Sequence, residues 1–189
     1  MTLDITVREH GETGPTKLPP PGERRGSVIV DPGRANPPLP VFVTKPALKA
    51  MHRHARSGGE YEVGGFLLGG YYRWKKHTYV DITDGVPALK AKSARTHLTF
   101  DHAAQKEFHK TLAKRYPGKR VLGWYHTHPA YGIFLSEYDM FIQRGFFAEE
   151  FHVAVVIDPF QQPREQVGVF TWHEGDVSHG YHLIVYEQE

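Results

Sequence analysis

The chain changes its hydrophobic period several times, and each change marks an element. Ala47, Leu48, Met51 and Ala55 recur three or four residues apart, as on the buried stripe of a helix. Thr44 stands before them as a candidate N-cap, Pro46 suits the first turn, and Gly58-Gly59 ends the run. The spacing therefore predicts a helix over residues 45–57, with Val41–Val43 as a short strand ahead of it. Glu62–Tyr72 is apolar and glycine-rich, and Tyr79–Ile82 alternates, which predicts two strands joined by a turn near Trp74–His77. Thr96–Phe100 suggests a further strand. His102–Arg115 returns to helical spacing through Ala103, Phe108, Leu112 and Ala113, and Pro117-Gly118 stops it. Arg120–His128 reads as a strand that runs into the turn residues of Pro129–Gly132, and Ser136–Phe147 reads as a helix. Phe151–Ile157, Gln166–Trp172 and Tyr181–Tyr186 read as three closing strands. Strands interleaved with two or three helices imply a mixed α/β fold, a mixed β-sheet flanked by those helices in a single domain.

The first 40 residues break this pattern. They hold eight of the fourteen prolines, which fix φ and remove backbone donors. We read residues 1–40 as a proline-rich, partly disordered N-terminal arm with a short strand at Ser27–Val30, and residues 41–189 as the folded domain. For residues 1–24 an extended arm and a disordered tail are equal readings. No internal repeat is present.

Composition narrows the function by exclusion. With 23 basic and 21 acidic residues the net charge is +2, which argues for neither nucleic acid nor a membrane surface as partner. There is no cysteine, so disulfides, thiolate metal sites and cysteine nucleophiles are excluded. The N-terminal stretch lacks the apolar core of a signal peptide, and no window approaches the ~18 apolar residues of a membrane span. A cytoplasmic location is the expectation.

The candidate chemistry lies in residues 123–139. His126 and His128 are two apart on a predicted strand, so both imidazoles face the same side and can converge on one ion. Ten residues later Asp139 could return an oxygen ligand to the same point. Three protein ligands leave a fourth position open, the arrangement of a catalytic zinc site. Glu62 is the candidate general base, set at the start of a strand rich in small residues. Alone, it reads more simply as a solvated strand-end carboxylate. Ser136 could donate to an oxyanion, but taken by itself it reads first as the N-cap of the following helix; the two roles can coexist. The other histidines carry no metal role in this reading. His52 and His54 lie two apart on a helix, do not share a face, and are expected to be solvated. Trp124 and Tyr125 read as core or groove walls, and Tyr131, Phe134 and Trp172 as groove or core.

With Glu62, His126-Thr-His128-Pro129, Ser136 and Asp139 in this order and spacing, the chain resembles the JAMM (MPN-plus, JAB1/Mov34) family. The Glu-Val-Gly-Gly-Phe-Leu-Leu-Gly stretch is also similar to that family's glutamate-bearing strand, and the likeness spans residues 41–187. The resemblance implies a deaminase-like fold and a Zn2+-dependent isopeptidase or peptidase acting after the C-terminal glycine of ubiquitin or a ubiquitin-like protein. In that picture His126, His128 and Asp139 hold the metal, and Glu62 and Ser136 are catalytic. The expected partners are ubiquitin-like conjugates, together with E1/E2-like enzymes of the same pathway. Alternatives are trimming of a ubiquitin-like or sulfur-carrier precursor tail, a peptide amidase, or a non-catalytic MPN scaffold.

Overall fold

The computed structural model describes residues 14–33, 38–88, 92–93, 98–99, 102–163 and 166–188. In chain order the elements are β1 (Thr16–Lys17), β2 (Ser27–Asp31), β3 (Val41–Thr44), α1 (Lys45–Ser57), β4 (Gly64–Trp74), β5 (His77–Pro87), β6 (Lys92–Ser93) and β7 (Leu98–Thr99). They continue with α2 (His102–Arg115), β8 (Arg120–Thr127), α3 (Glu137–Phe146), β9 (Val153–Ile157), β10 (Val167–His173), β11 (Asp176–Tyr181) and β12 (Ile184–Gln188). The main sheet runs β11-β10-β9-β8-β4-β5-β3-β12-β2, with β1 parallel beside β4, while β6 and β7 pair separately. It is mixed: β8 and β9 are parallel, as are β3 with β5 and β12 with β3, and the other pairs along that path are antiparallel. The expected mixed sheet flanked by helices is what forms.

Each face of the sheet carries its own core. Under α1, Ala47, Met51 and Ala55 pack with Leu67, Tyr125 and Val155. On the other face Phe108 of α2 and Ile142 of α3 join Phe66, Trp124 and Val156. The cap expected for α1 is present: Thr44 Oγ1 accepts the Ala47 N–H at 3.3 Å.

A bulge in β8 decides which face its C-terminal half presents. Leu67 of β4 pairs with Gly123, but the next residue, Leu68, pairs with Val121. Val121 belongs to the α2/α3 cluster and Leu122 to the α1 cluster, so unbroken alternation would send Trp124 and His126 toward α1. The extra residue reverses this, and Trp124 joins the α2/α3 cluster. Gly123 makes the bulge possible: its φ is +141°, and a Cβ there would lie 1.8 Å from the Val153 carbonyl oxygen.

Three features depart from the sequence reading. Beyond β10 the chain forms two strands, β11 and β12, where one was expected. β10 and β11 are joined through Glu174 and Gly175, both at positive φ, as a two-residue hairpin of this hand requires. In the proline-rich zone the expected strand at Ser27–Val30 forms as β2 on the sheet's edge, antiparallel to β12, but β1, parallel to the far end of β4, was not expected. Residues 1–13 lie outside the described residues, as does most of the strand expected at Thr96–Phe100. Finally, His52 and His54 are half-buried, and His54 Nδ1 lies 2.8 Å from the Tyr125 hydroxyl. His54 packs edge-on against the Tyr125 ring, so neither histidine stands fully in solvent.

Candidate metal centre

Three elements bring the site together. His126 is the penultimate residue of β8, and His128 follows the strand's end with its N–H donated to the Ile157 carbonyl at 3.0 Å. Asp139 lies in the first turn of α3. That helix starts where it does because Ser136 caps it. Ser136 Oγ accepts the Asp139 N–H at 3.2 Å, and Asp139 Oδ2 accepts the Ser136 N–H at 2.7 Å, closing a reciprocal capping box. The same turn that begins the helix thus aims the Asp139 carboxylate at β8.

All three candidate ligands are buried, His126 completely. The two Nε2 atoms are 3.0 Å apart, His126 Nε2 is 3.3 Å from Asp139 Oδ1, and His128 Nε2 is 3.4 Å from Asp139 Oδ2. Donor atoms about 2.0–2.1 Å from a tetrahedral ion stand about 3.3 Å from one another, so this donor set fits zinc in type and spacing. Neither Nδ1 atom has a hydrogen-bond partner among the described residues, although both are buried. Ring packing orients the imidazoles instead. Trp124 stacks on His126 at 4.3 Å, and Phe134 lies 4.5 Å from His128.

The electrostatics separate the groups. Burial works to raise the Asp139 carboxyl, but hydrogen bonds from His126 and His128, the charge of His126 and the Ser136 hydroxyl outweigh it and hold the group well below the usual carboxylate range. Burial lowers His126, against the pull of Asp139. Glu62 goes the other way: burial pushes its carboxyl up to about 7, opposed by His128 and reinforced by Asp139. It is 3% exposed, so the solvated strand-end reading does not hold. Nor does Glu62 open the strand, since β4 starts at Gly64. It sits in an extended lead-in that two hydrogen bonds stitch to β8: the Thr127 N–H to the Val63 carbonyl and the Val63 N–H to Thr127 Oγ1, both 2.9 Å. Ser136 Oγ donates to Asp139 Oδ2 at 2.6 Å, so its observed role is that of cap and ligand support.

A family model described as JAB1/Mov34/MPN/PAD-1 ubiquitin protease matches residues 38–149, a span that contains all five of these residues. The chain belongs to that family. Among its curated relatives, the Caenorhabditis elegans protein F37A4.5 is 35% identical over 130 residues, covering 67% of this chain and 39% of the relative. The Saccharomyces cerevisiae ubiquitin carboxyl-terminal hydrolase RPN11 is 31% identical over 140 residues, covering 72% of this chain and 44% of the relative. COP9 signalosome complex subunit 5 of Yarrowia lipolytica is 31% identical over 168 residues, covering 82% and 45%. The chain thus spans less than half the length of these relatives. The solution structure of DSY2949 from Desulfitobacterium hafniense has the same fold, with a TM-score of 0.60 at 22% identity, covering 78% of this chain and 94% of that one.

Around the five residues this JAB domain places others that the sequence reading left without a role. Thr127 holds the Glu62 lead-in. Gln143 is fully buried and accepts from Trp124 Nε1 at 2.8 Å while donating to the Phe147 carbonyl, which steadies the ring that stacks on His126. Trp172, a candidate groove residue, instead donates to the Phe147 carbonyl and lines a separate cavity with Tyr71, Glu150 and His173. Phe134 does stand at the site, and Tyr131 is exposed beside it in the same loop.

Proposed function

We propose that this JAB domain is a zinc-dependent isopeptidase that hydrolyses the bond after the C-terminal glycine of ubiquitin or a ubiquitin-like protein. The observation that carries the reading is the convergence of three buried donor atoms at zinc-like spacing beside a buried carboxyl of raised pKa. His126, His128 and Asp139 would hold the metal. Zinc held there would supply Lewis acidity, acidifying water and polarising a carbonyl. Glu62 takes a proton from the attacking water as the C–O bond forms. It returns that proton to the lysine nitrogen as the C–N bond breaks, so the amine leaves neutral. Ser136 donates to the developing oxyanion, for which its hydroxyl turns away from Asp139. The substrate class is supported by the ubiquitin hydrolase named among the relatives.

The test offers zinc-loaded protein ubiquitin and ubiquitin-like conjugates on lysine, with linear fusions alongside. Wild type is expected to cleave the lysine conjugates. Glu62→Gln should keep one zinc per chain yet lose at least about 10²-fold in turnover. His126→Ala and Asp139→Ala should bind zinc more weakly. Cleavage of linear fusions alone would favour precursor trimming, and no cleavage of any substrate would favour a scaffold. A wild-type rate for Glu62→Gln would rule out Glu62 as the base.

A further inference from the structure

We infer that Asp158, which touches none of the three candidate ligands, is a positioning residue that fixes the loop after His128 and through it the His128 imidazole. The inference rests on the metal reading above. Asp158 follows β9 by one residue and is fully buried. Its Oδ1 accepts the N–H groups of Ala130 and Phe160, each at 3.0 Å. Its Oδ2 accepts the Gly132 N–H at 2.8 Å and the Gln161 side-chain amide at 3.3 Å. One carboxylate therefore gathers two loops that belong to different parts of the sequence. Desolvation works to raise this carboxyl, but the N–H groups of Ala130, Phe160 and Gly132 and the Gln161 amide hold it below its ordinary value, as expected for a carboxylate so thoroughly hydrogen-bonded.

The loop needs such a clamp. It runs from His128 to the Ser136 cap and includes two left-handed residues, Ala130 at φ +64° and Gly132 at φ +86°. For Ala130, which carries a Cβ, that backbone is strained. Asp158 accepts the N–H groups of both left-handed residues. Ile133 is held as well, against Gly168 of β10, where an added Cβ would lie 2.1 Å from Ile133 Cγ2. The next residue, Phe134, lies against His128.

Metal-binding histidines are usually oriented by a carboxylate or carbonyl that accepts from the second ring nitrogen. His128 Nδ1 has no such partner among the described residues. Its orientation comes from the Phe134 ring and from its own backbone, which the Ile157 carbonyl and the Tyr131 N–H hold on either side. Asp158 thus does through a loop what a carboxylate on Nδ1 would do directly.

The experiment compares full-length wild type, Asp158→Asn and Phe134→Ala. Asparagine keeps one acceptor oxygen and sets an amide donor against a backbone N–H. Zinc affinity is read by competition with a chromophoric chelator, loop order by amide hydrogen exchange, and kcat and KM on a conjugate that wild type cleaves. Asp158→Asn is expected to speed exchange at Ala130 and Gly132, leave the β4 and β8 amides protected, weaken zinc about tenfold or more, and lower kcat more than it raises KM. Phe134→Ala, which removes a half-exposed ring and leaves the fold intact, should weaken zinc in the same direction. Zinc affinity within twofold of wild type in either variant would overturn the inference. Wild type that binds zinc but cleaves no conjugate would sink the isopeptidase reading and leave the zinc comparison intact.

Discussion

Glu62 and His152 show how burial moves a proton in this domain. In His152 burial and the charge of Arg120 lower the imidazole to about 4, against the pull of the Phe147 and Val121 carbonyls. Its Nδ1 accepts the Glu149 N–H at 3.1 Å, so the ring is held neutral. The unfolded chain, with a histidine pKa near 6.5, binds the proton first as pH falls. Stability from neutral His152 is therefore complete above about pH 6.5 and is lost toward pH 4, about 3 kcal/mol in all. Urea denaturation at pH 7 and pH 5 should show a loss of about 2 kcal/mol that is missing in His152→Asn, whose Oδ1 can still accept from Glu149. Identical pH dependence in both proteins would count against the assignment. Residue type and spacing singled out His126, His128 and Asp139, which the structure brings together, and Glu62 and Ser136, which it sets beside them. Thr127, Gln143 and Asp158 were not legible in the sequence. A lone polar residue has no period, and the partners of these three lie on other elements.

The helices were read from their spacing and clear stops, and β8 from its apolar run between Gly118 and Pro129. α1 and α2 begin and end where expected, and β8 matches to within one residue. β11 escaped because Asp-Val-Ser-His-Gly offers a single large apolar side chain. The bulge at Gly123 escaped for a different reason. A glycine in a strand shows that something is unusual, but its register is set by β4 and β9. That bulge turns Trp124, and with it the histidine pair, to the α2/α3 face, so it should resist substitution. Gly123→Ala would place a side chain on a left-handed backbone and against the Val153 carbonyl. It is expected to cost about 2–5 kcal/mol in urea unfolding and to reduce zinc binding in whatever fraction folds. Wild-type stability would show that β8 can carry the extra residue without glycine.

At the scale of the whole molecule, the N-terminal segment is part of the architecture. Arg24 reaches the buried Asp81 at 3.1 Å, and Tyr186 of β12 donates to the other oxygen of the same carboxylate at 2.9 Å. One carboxylate therefore ties the arm, β5 and β12 together. Prolines foretold an extended path here, but its pairing partners lie far along the chain and leave no local mark. Arg24→Ala leaves Asp81 buried with its charge uncompensated. It should destabilise the fold by about 2 kcal/mol, given that Arg24 is partly exposed, and adding Asp81→Asn should recover part of that in a double-mutant cycle. No helix among the described residues is long and apolar enough to cross a membrane. The paired bonds between Val63 and Thr127 have one more consequence. They couple the backbone beside Glu62 to the strand that bears the imidazoles, so a shift of one carries the other. The solvent-facing rings of Tyr61, Tyr131 and Phe134 stand on the segments that flank Glu62 and His128.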